Sequence, residues 1–214
     1  MDFAEQRKKL VESMLASGAL KSKHIAEAFL KVNREAFFTA DAKQYAYIDS
    51  AFPIGYGQTI SQPSTIAIML ELLEPKPKQK VLEVGAGSGY VLALLSEIVG
   101  KQGKVIGIER VPELARRAKH TLETLGYKNI EIVLADGTKG LPEKAPFDRI
   151  IVSAACSEVP QALIEQLAPL GRIVAPVGSR FTQQMQVIEK DAKGKTKSYF
   201  ASGFFVFVPL ISDG

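Results

Sequence analysis

Tryptophan is absent from this 214-residue chain, cysteine occurs once and histidine twice. Each shortage excludes something. A lone thiol, Cys156, cannot close an internal disulfide, which fits a reducing, cytoplasmic setting. His24, His120 and Cys156 are too few soft ligands for a structural zinc site, so no metal is expected. The charge excess is thin: 27 basic residues against 23 acidic ones give a formal +4, which makes no case for nucleic acid or a membrane surface. No apolar run approaches the ~18–20 residues that cross a bilayer. The opening Met1-Asp2-Phe3-Ala4-Glu5 is not that of a signal peptide. What remains is 46% apolar and 23% charged, ordinary for a soluble globular protein of one domain.

Residues 1–50 read as helical. Phe3, Leu10, Val11 and Met14 recur near a 3.6 period, Gly18 offers a stop, and Ser22 can cap a second helix facing inward through Ile25, Ala28, Phe29 and Val32. The segment 53–63 is dense in Gly and Pro and is expected as a loop. Pro63 suits the first turn of a helix bearing Ile66, Met69, Leu70 and Leu73, which Pro75 and Pro77 end. From Lys80 the pattern alternates. Strands are expected at 81–84, 105–109, 130–134, 147–153 and 171–176, separated by helices at 90–99, after Pro112 and at 161–167. That spacing means βαβ units and a doubly wound, mostly parallel α/β sheet covered on both faces. Two further strands, 186–190 and 199–208, read as an antiparallel edge joined by a solvated tip at Lys193-Gly194-Lys195.

The turn Gly85-Ala86-Gly87-Ser88-Gly89-Tyr90 lies between the first strand and its helix, where open α/β sheets bind cofactors. A tight strand-to-helix connection would look similar. The dinucleotide pattern wants a third glycine at position 90, where Tyr90 stands, and Glu83 precedes the loop with a charge that would oppose phosphate. A cationic cofactor fits better, and S-adenosyl-L-methionine carries both an ammonium and a sulfonium. Glu109, 20 residues past Gly89, ends the second strand, where an acid can accept both ribose hydroxyls; NAD enzymes share that position. After the third strand, Asp136-Gly137 offers a carboxylate for an adenine amino group, or simply a turn.

The order of these motifs resembles a class I (Rossmann-like) methyltransferase. More narrowly, the chain resembles the protein-L-isoaspartate (D-aspartate) O-methyltransferase family. The residues that carry this are Gly57-Gln58-Thr59-Ile60-Ser61-Gln62-Pro63, Val81 through Tyr90, Ala145 through Val152, Leu170 through Gly178, and Phe207-Val208-Pro209-Leu210. They span nearly the whole chain in the family's order. The resemblance implies a single domain over 1–214, with a helical cap and active-site loop (1–77), a cofactor core (78–180) and C-terminal strands (181–214). It implies Ser61 as the active-site residue. Cofactor contacts fall to Glu83, Gly85, Ala86, Gly87, Ser88, Gly89, Glu109, Arg110, Asp136 and Gly137. Substrate contacts fall to Thr59, Ile60, Gln62, Pro63, Ser64, Ala154, Ala155, Val208, Pro209 and Leu210. Cys156, Asn33 and the aromatic Phe204-Phe205-Val206 depart from the family's pattern.

The implied reaction is methylation, by S-adenosyl-L-methionine, of the free carboxylate of isoaspartyl and D-aspartyl residues in damaged proteins and peptides. S-adenosyl-L-homocysteine is the by-product. The methyl ester then cyclises to a succinimide whose hydrolysis returns some normal aspartate. A carboxylate is already ionised at neutral pH and needs no general base, so placement in line and exclusion of water carry the rate. Ser61 is expected to orient the substrate carboxylate, not to attack; next to Pro63 it could also be a helix-start serine. A monomer is expected, without nucleic-acid or membrane partners. Three rivals remain: a methyltransferase for another carboxylate, small molecule or nucleic acid; an inactive relative that only binds the cofactor; and a dehydrogenase. Ser153-Ala154-Ala155-Cys156 offers no platform for a flipped base. Ser88, without glycines at 86 and 90, is no hydrolase elbow.

Overall fold

The run Val81–Val84 is buried on both faces, as a central parallel strand must be, and everything else is arranged around it. In the computed structural model, which describes residues 2–212, the strands in chain order are β1 (Phe52–Gly55), β2 (Gln58–Ile60), β3 (Lys80–Val84), β4 (Lys104–Glu109) and β5 (Ile130–Leu134). They continue with β6 (Phe147–Val152), β7 (Leu167–Gly178), β8 (Gln183–Lys190) and β9 (Thr196–Phe200). The main sheet runs β5-β4-β3-β6-β7-β8-β9; β5 through β7 are parallel, β8 and β9 antiparallel. This is the class I methyltransferase form of the Rossmann-like fold. The chain steps outward from β3 through β4 to β5, then crosses back to place β6 on the other side of β3. The crevice at the carboxyl ends of β3 and β6 is therefore the topological switch point, where such sheets take ligands.

The helices are α1 (Phe3–Ser17), α2 (Lys23–Lys31), α3 (Pro63–Leu73), α4 (Tyr90–Val99), α5 (Pro112–Thr124) and α6 (Gln161–Glu165). Asp2 caps α1 through its side chain, and Gly18 ends it in the left-handed conformation (φ 76°). Ser22 stands at the start of α2 without capping it. Its hydroxyl instead donates to Glu71 of α3 at 2.6 Å, and the Lys21 and Ser22 amides donate to the same carboxylate. Glu71 thus fixes the chain just ahead of α2 and docks it on α3.

Two expectations are corrected. Segment 53–63 is largely not loop: β1 and β2 form a hairpin turned by Tyr56 and Gly57, both at positive φ, with Ile54 and Ile60 buried beneath it. The density of Gly and Pro belongs to the turn and concealed a short alternation. Segment 199–208 is not one strand. The regular ladder to β8 ends at Phe200, and the chain bends through Gly203 (φ 104°) before touching β8 once more. Phe205 then exchanges two 2.9 Å hydrogen bonds with Gln183, and Val208 and Leu210 bond to Ala155 at 2.7 Å each. The redirection carries the Val-Pro-Leu segment over the sheet's carboxyl edge.

Candidate active site

Three glycines in left-handed geometry (Gly85, Gly87 and Gly89, φ 87°, 53° and 86°) turn the chain from β3 into α4. They do different work. A Cβ on Gly89 would meet Leu122 and Ala118 of α5 at 3.1 and 3.2 Å, so Gly89 serves helix packing. Gly85 and Gly87 line a crevice instead. With them stand Glu109, the exposed Arg110, Gly137, Ala154, Pro209 and Leu210. Glu109 is buried, and its two oxygens accept from the Gly87 and Val111 amides at 2.8 and 2.9 Å, an arrangement that fixes the carboxylate facing the crevice. Asp136 behaves otherwise. Its carboxylate accepts from the Thr138 amide and hydroxyl and from the Ser212 hydroxyl, so Gly137 forms the wall.

A second cleft, about 360 Å³, opens beside the first and is lined by Ser61, Gln62, Thr65 and the Phe204–Val208 segment. The two share Thr59, Ser153 and Val208. Between them lies a small chamber reached by Ser61, Ile60, Ser88, Ala86 and Glu83. Ser61 is half-buried, and among the described residues nothing holds its hydroxyl. Its flanks are fixed: Asp49 accepts from the Ser64 amide and the Gln62 amide group, and Pro63 is buried at the first turn of α3. Pro63 and Ser64 thus sit behind the cleft as supports. Ala155 likewise faces away, as the strand-like partner of Pro209.

Glu83 is the unusual group. It is 1% exposed, one oxygen accepts from the Ser153 hydroxyl at 2.7 Å, and the other has no partner. Burial, reinforced by the charge of Glu109 and opposed by the Ser153 bond, pushes its pKa up to about 8. An orphaned, dry carboxylate oxygen beside three backbone-lined walls fits a ligand with a cationic head and a flat polar body. That is the chemistry of S-adenosyl-L-methionine.

Three participants escape sequence reading. Ser153 follows β6 and reaches Glu83 only because β3 and β6 pair in register, Val84 opposite Val152. Asp49 lies in an irregular stretch. Arg34 is fully buried; its Nε donates to the Ala46 carbonyl at 2.8 Å and its Nη2 to the Ser61 carbonyl at 2.9 Å. His24 and His120 are exposed on α2 and α5, as the sequence suggests, and burial pushes the Cys156 thiol up to about 11, away from reactivity.

Comparison with known proteins agrees with this geometry. The family model described as protein-L-isoaspartate(D-aspartate) O-methyltransferase matches residues 5–214. The chain belongs to this family. A protein-L-isoaspartate O-methyltransferase of Methanopyrus kandleri is 47% identical over 212 residues, 99% of this chain and 93% of that protein. One from Archaeoglobus fulgidus is 48% identical over 98% of this chain and 94% of its own length. Among solved structures, a protein-L-isoaspartate O-methyltransferase of Plasmodium falciparum in complex with S-adenosyl-L-homocysteine superposes with a TM-score of 0.82, at 27% identity, over 96% of this chain and 98% of that one. As a family member, the chain is an S-adenosyl-L-methionine-dependent methyltransferase. Among its described residues no helix is long and apolar enough to cross a membrane.

Proposed function

We propose that this enzyme methylates the free carboxylate of L-isoaspartyl and D-aspartyl residues in damaged proteins and peptides, with Ser61 orienting the carboxylate. The observation that carries the assignment of roles is the orphaned oxygen of Glu83, buried in the chamber that joins the Ser61 cleft to the glycine-loop crevice. S-adenosyl-L-methionine, when bound, supplies a methyl group on a sulfonium, an electrophile that needs no further activation. The chain's residues do the rest. Glu83 receives the ammonium, Glu109 the ribose hydroxyls, and Gly85, Gly87 and Gly137 allow the backbone close approach; Ala86, Ser88 and Arg110 complete that wall, and Gly89 holds it on α5. Asp136, turned into its own loop, supports Gly137.

The substrate carboxylate is ionised at neutral pH, so no side chain has to remove a proton. With the cofactor held by Glu83 and Glu109, a carboxylate oxygen would accept the methyl group, and the pair of the broken carbon–sulfur bond would stay with sulfur. Catalysis is then placement and exclusion of water. The Ser61 hydroxyl, uncommitted to protein partners, donates to the carboxylate and leaves its other oxygen in line. Thr59, Ile60 and Gln62 shape the cleft on one side and Val208 on the other, while Ala154, Pro209 and Leu210 close the glycine-loop crevice beside it. The methyl ester leaves the enzyme and closes to a succinimide, which opens partly to normal aspartate.

The clefts draw on the β1–β2 hairpin, the carboxyl edge of the sheet and the C-terminal segment together, which supports a single domain; we read it as a cytoplasmic monomer. Radiolabelled cofactor offered with matched Asp and isoAsp peptides tests the reading: base-labile label is expected on the isoAsp peptide alone. Equal labelling of both would overturn it. Ser61→Ala is expected to lower kcat/KM for the isoAsp peptide about tenfold or more while the affinity for S-adenosyl-L-homocysteine holds. Wild-type turnover would remove Ser61 from the mechanism.

A further inference from the structure

We propose that Arg34 is a positioning residue for the reaction, a buried cationic clip that sets where the Ser61 hydroxyl points. Arg34 is 0% exposed, although it follows a helix in the N-terminal cap and lies 27 positions before Ser61. A buried charge is costly unless it is paired, and removing its partners is costlier still. Yet among the described residues no ion pair holds it and Nη1 is left without a hydrogen bond of good geometry; what offsets the charge is the polar side of Tyr90, with Asp49 contributing less. The guanidinium rests instead between two aromatic faces, 4.7 Å from the centroid of Tyr90 and 5.4 Å from that of Phe38.

The placement of its two hydrogen bonds explains its value. The carbonyls of Ala46 and Ser61 are the two ends of the stretch that carries Asp49 and the β1–β2 hairpin. One planar fork therefore closes that stretch and fixes the peptide group of Ser61 itself. Tyr90, stacked on the same guanidinium, is the first residue of α4 and directly follows the glycine loop. Arg34 thus ties the residue that orients the substrate to the element that begins the cofactor wall. A misplacement near 1 Å can cost about a hundred-fold in rate, so a rigid tie of this kind bears on catalysis as well as folding. Lysine can keep the charge but only part of the tie, having neither the fork nor the planar face.

The proposal rests on Ser61 orienting the carboxylate, and the test separates the two. Four proteins are compared with isoAsp peptide: wild type, Ser61→Ala, Arg34→Gln and the double variant, with Arg34→Lys as a milder change should Arg34→Gln fold poorly. Gln166→Leu, whose side chain lines neither cleft and braces the loop after Gly137, serves as a control for lost stability. Arg34→Gln is expected to raise the peptide KM about tenfold, with the S-adenosyl-L-homocysteine Kd within about twofold of wild type; Arg34→Lys recovers part of the loss. In the Ser61→Ala background the same change adds less than about twofold, because the hydroxyl it positioned is gone. Additive losses, or an Arg34 variant whose KM is wild-type while only its Tm falls as in Gln166→Leu, overturn the role of Arg34. Wild-type kinetics of Ser61→Ala instead overturn the reading of Ser61.

Discussion

Glu83→Gln is the most informative perturbation, because the side chain is dry, half-partnered and adjacent to both clefts. Its pKa is pushed up to about 8 from an ordinary 4.5, chiefly by burial. For an acid whose folded pKa is raised, the folded state holds the proton more tightly than the unfolded state. Stability is then unaffected below the unfolded pKa, falls as pH rises between the two values, and levels off above the folded one. At 1.36 kcal/mol per unit, the full cost of holding this carboxylate ionised is about 5 kcal/mol. The ligand-free protein is therefore expected to lose about 3 kcal/mol between pH 5 and pH 8 that Glu83→Gln does not lose, read from urea midpoints of the pair. Cofactor binding reverses the balance. An ammonium beside the carboxylate favours its ionised form, so near pH 7, where about nine-tenths of Glu83 is protonated in the free enzyme, binding should release close to one proton. Calorimetry of S-adenosyl-L-homocysteine in two buffers of different ionisation enthalpy measures that release directly. Affinity should rise several-fold per unit between about pH 5.5 and 7, below the titration of the ligand's own amine, and the Gln variant should bind weakly without that slope. Parallel stability profiles for the two proteins, or binding with no proton released, would refute the assignment of Glu83 to the ammonium.

Two further substitutions test the walls and the frame of the site. Gly137→Ala would bring a Cβ to 2.4 Å from a methyl of the buried Val84, so the strand or the loop must shift. About 1–3 kcal/mol of stability is expected to be lost, with a weaker Kd for S-adenosyl-L-homocysteine; unchanged affinity would place the adenosine elsewhere. Gln166 binds the Leu141 amide at 2.7 Å and the Lys139 carbonyl at 2.8 Å through its buried amide group. Gln166→Leu strands both groups and should cost about 2–4 kcal/mol, lowering Tm while leaving the peptide KM at the wild-type value.

What could be read from sequence is what chain order alone determines. The β3 loop, Glu109 and Gly137 were legible because each follows a strand directly, and a doubly wound sheet gathers the carboxyl ends of its strands on one edge. Ser61 was legible only through its family motif; no periodicity marks it. The failures share a different cause. Ser153 matters because of inter-strand register, and Arg34 because the cap folds back on the loop carrying Ser61. Position points Asp136 at a ligand, but not at the second task the structure shows, capping its own turn through the Thr138 amide and meeting the Ser212 hydroxyl. The hairpin at 52–60 was hidden for a related reason, since two short strands leave almost no alternation to detect and its turn residues dominate the composition. Motifs that touch the ligand through the backbone survive translation from sequence to site. Groups that act through another residue do not, because their partners are chosen by tertiary contact. Arg34 and Glu83 show why this matters: among the described residues these are the buried side chains with an unpartnered polar atom, and both adjoin the reaction centre, yet only Glu83, placed just before the glycine loop, is marked by the sequence.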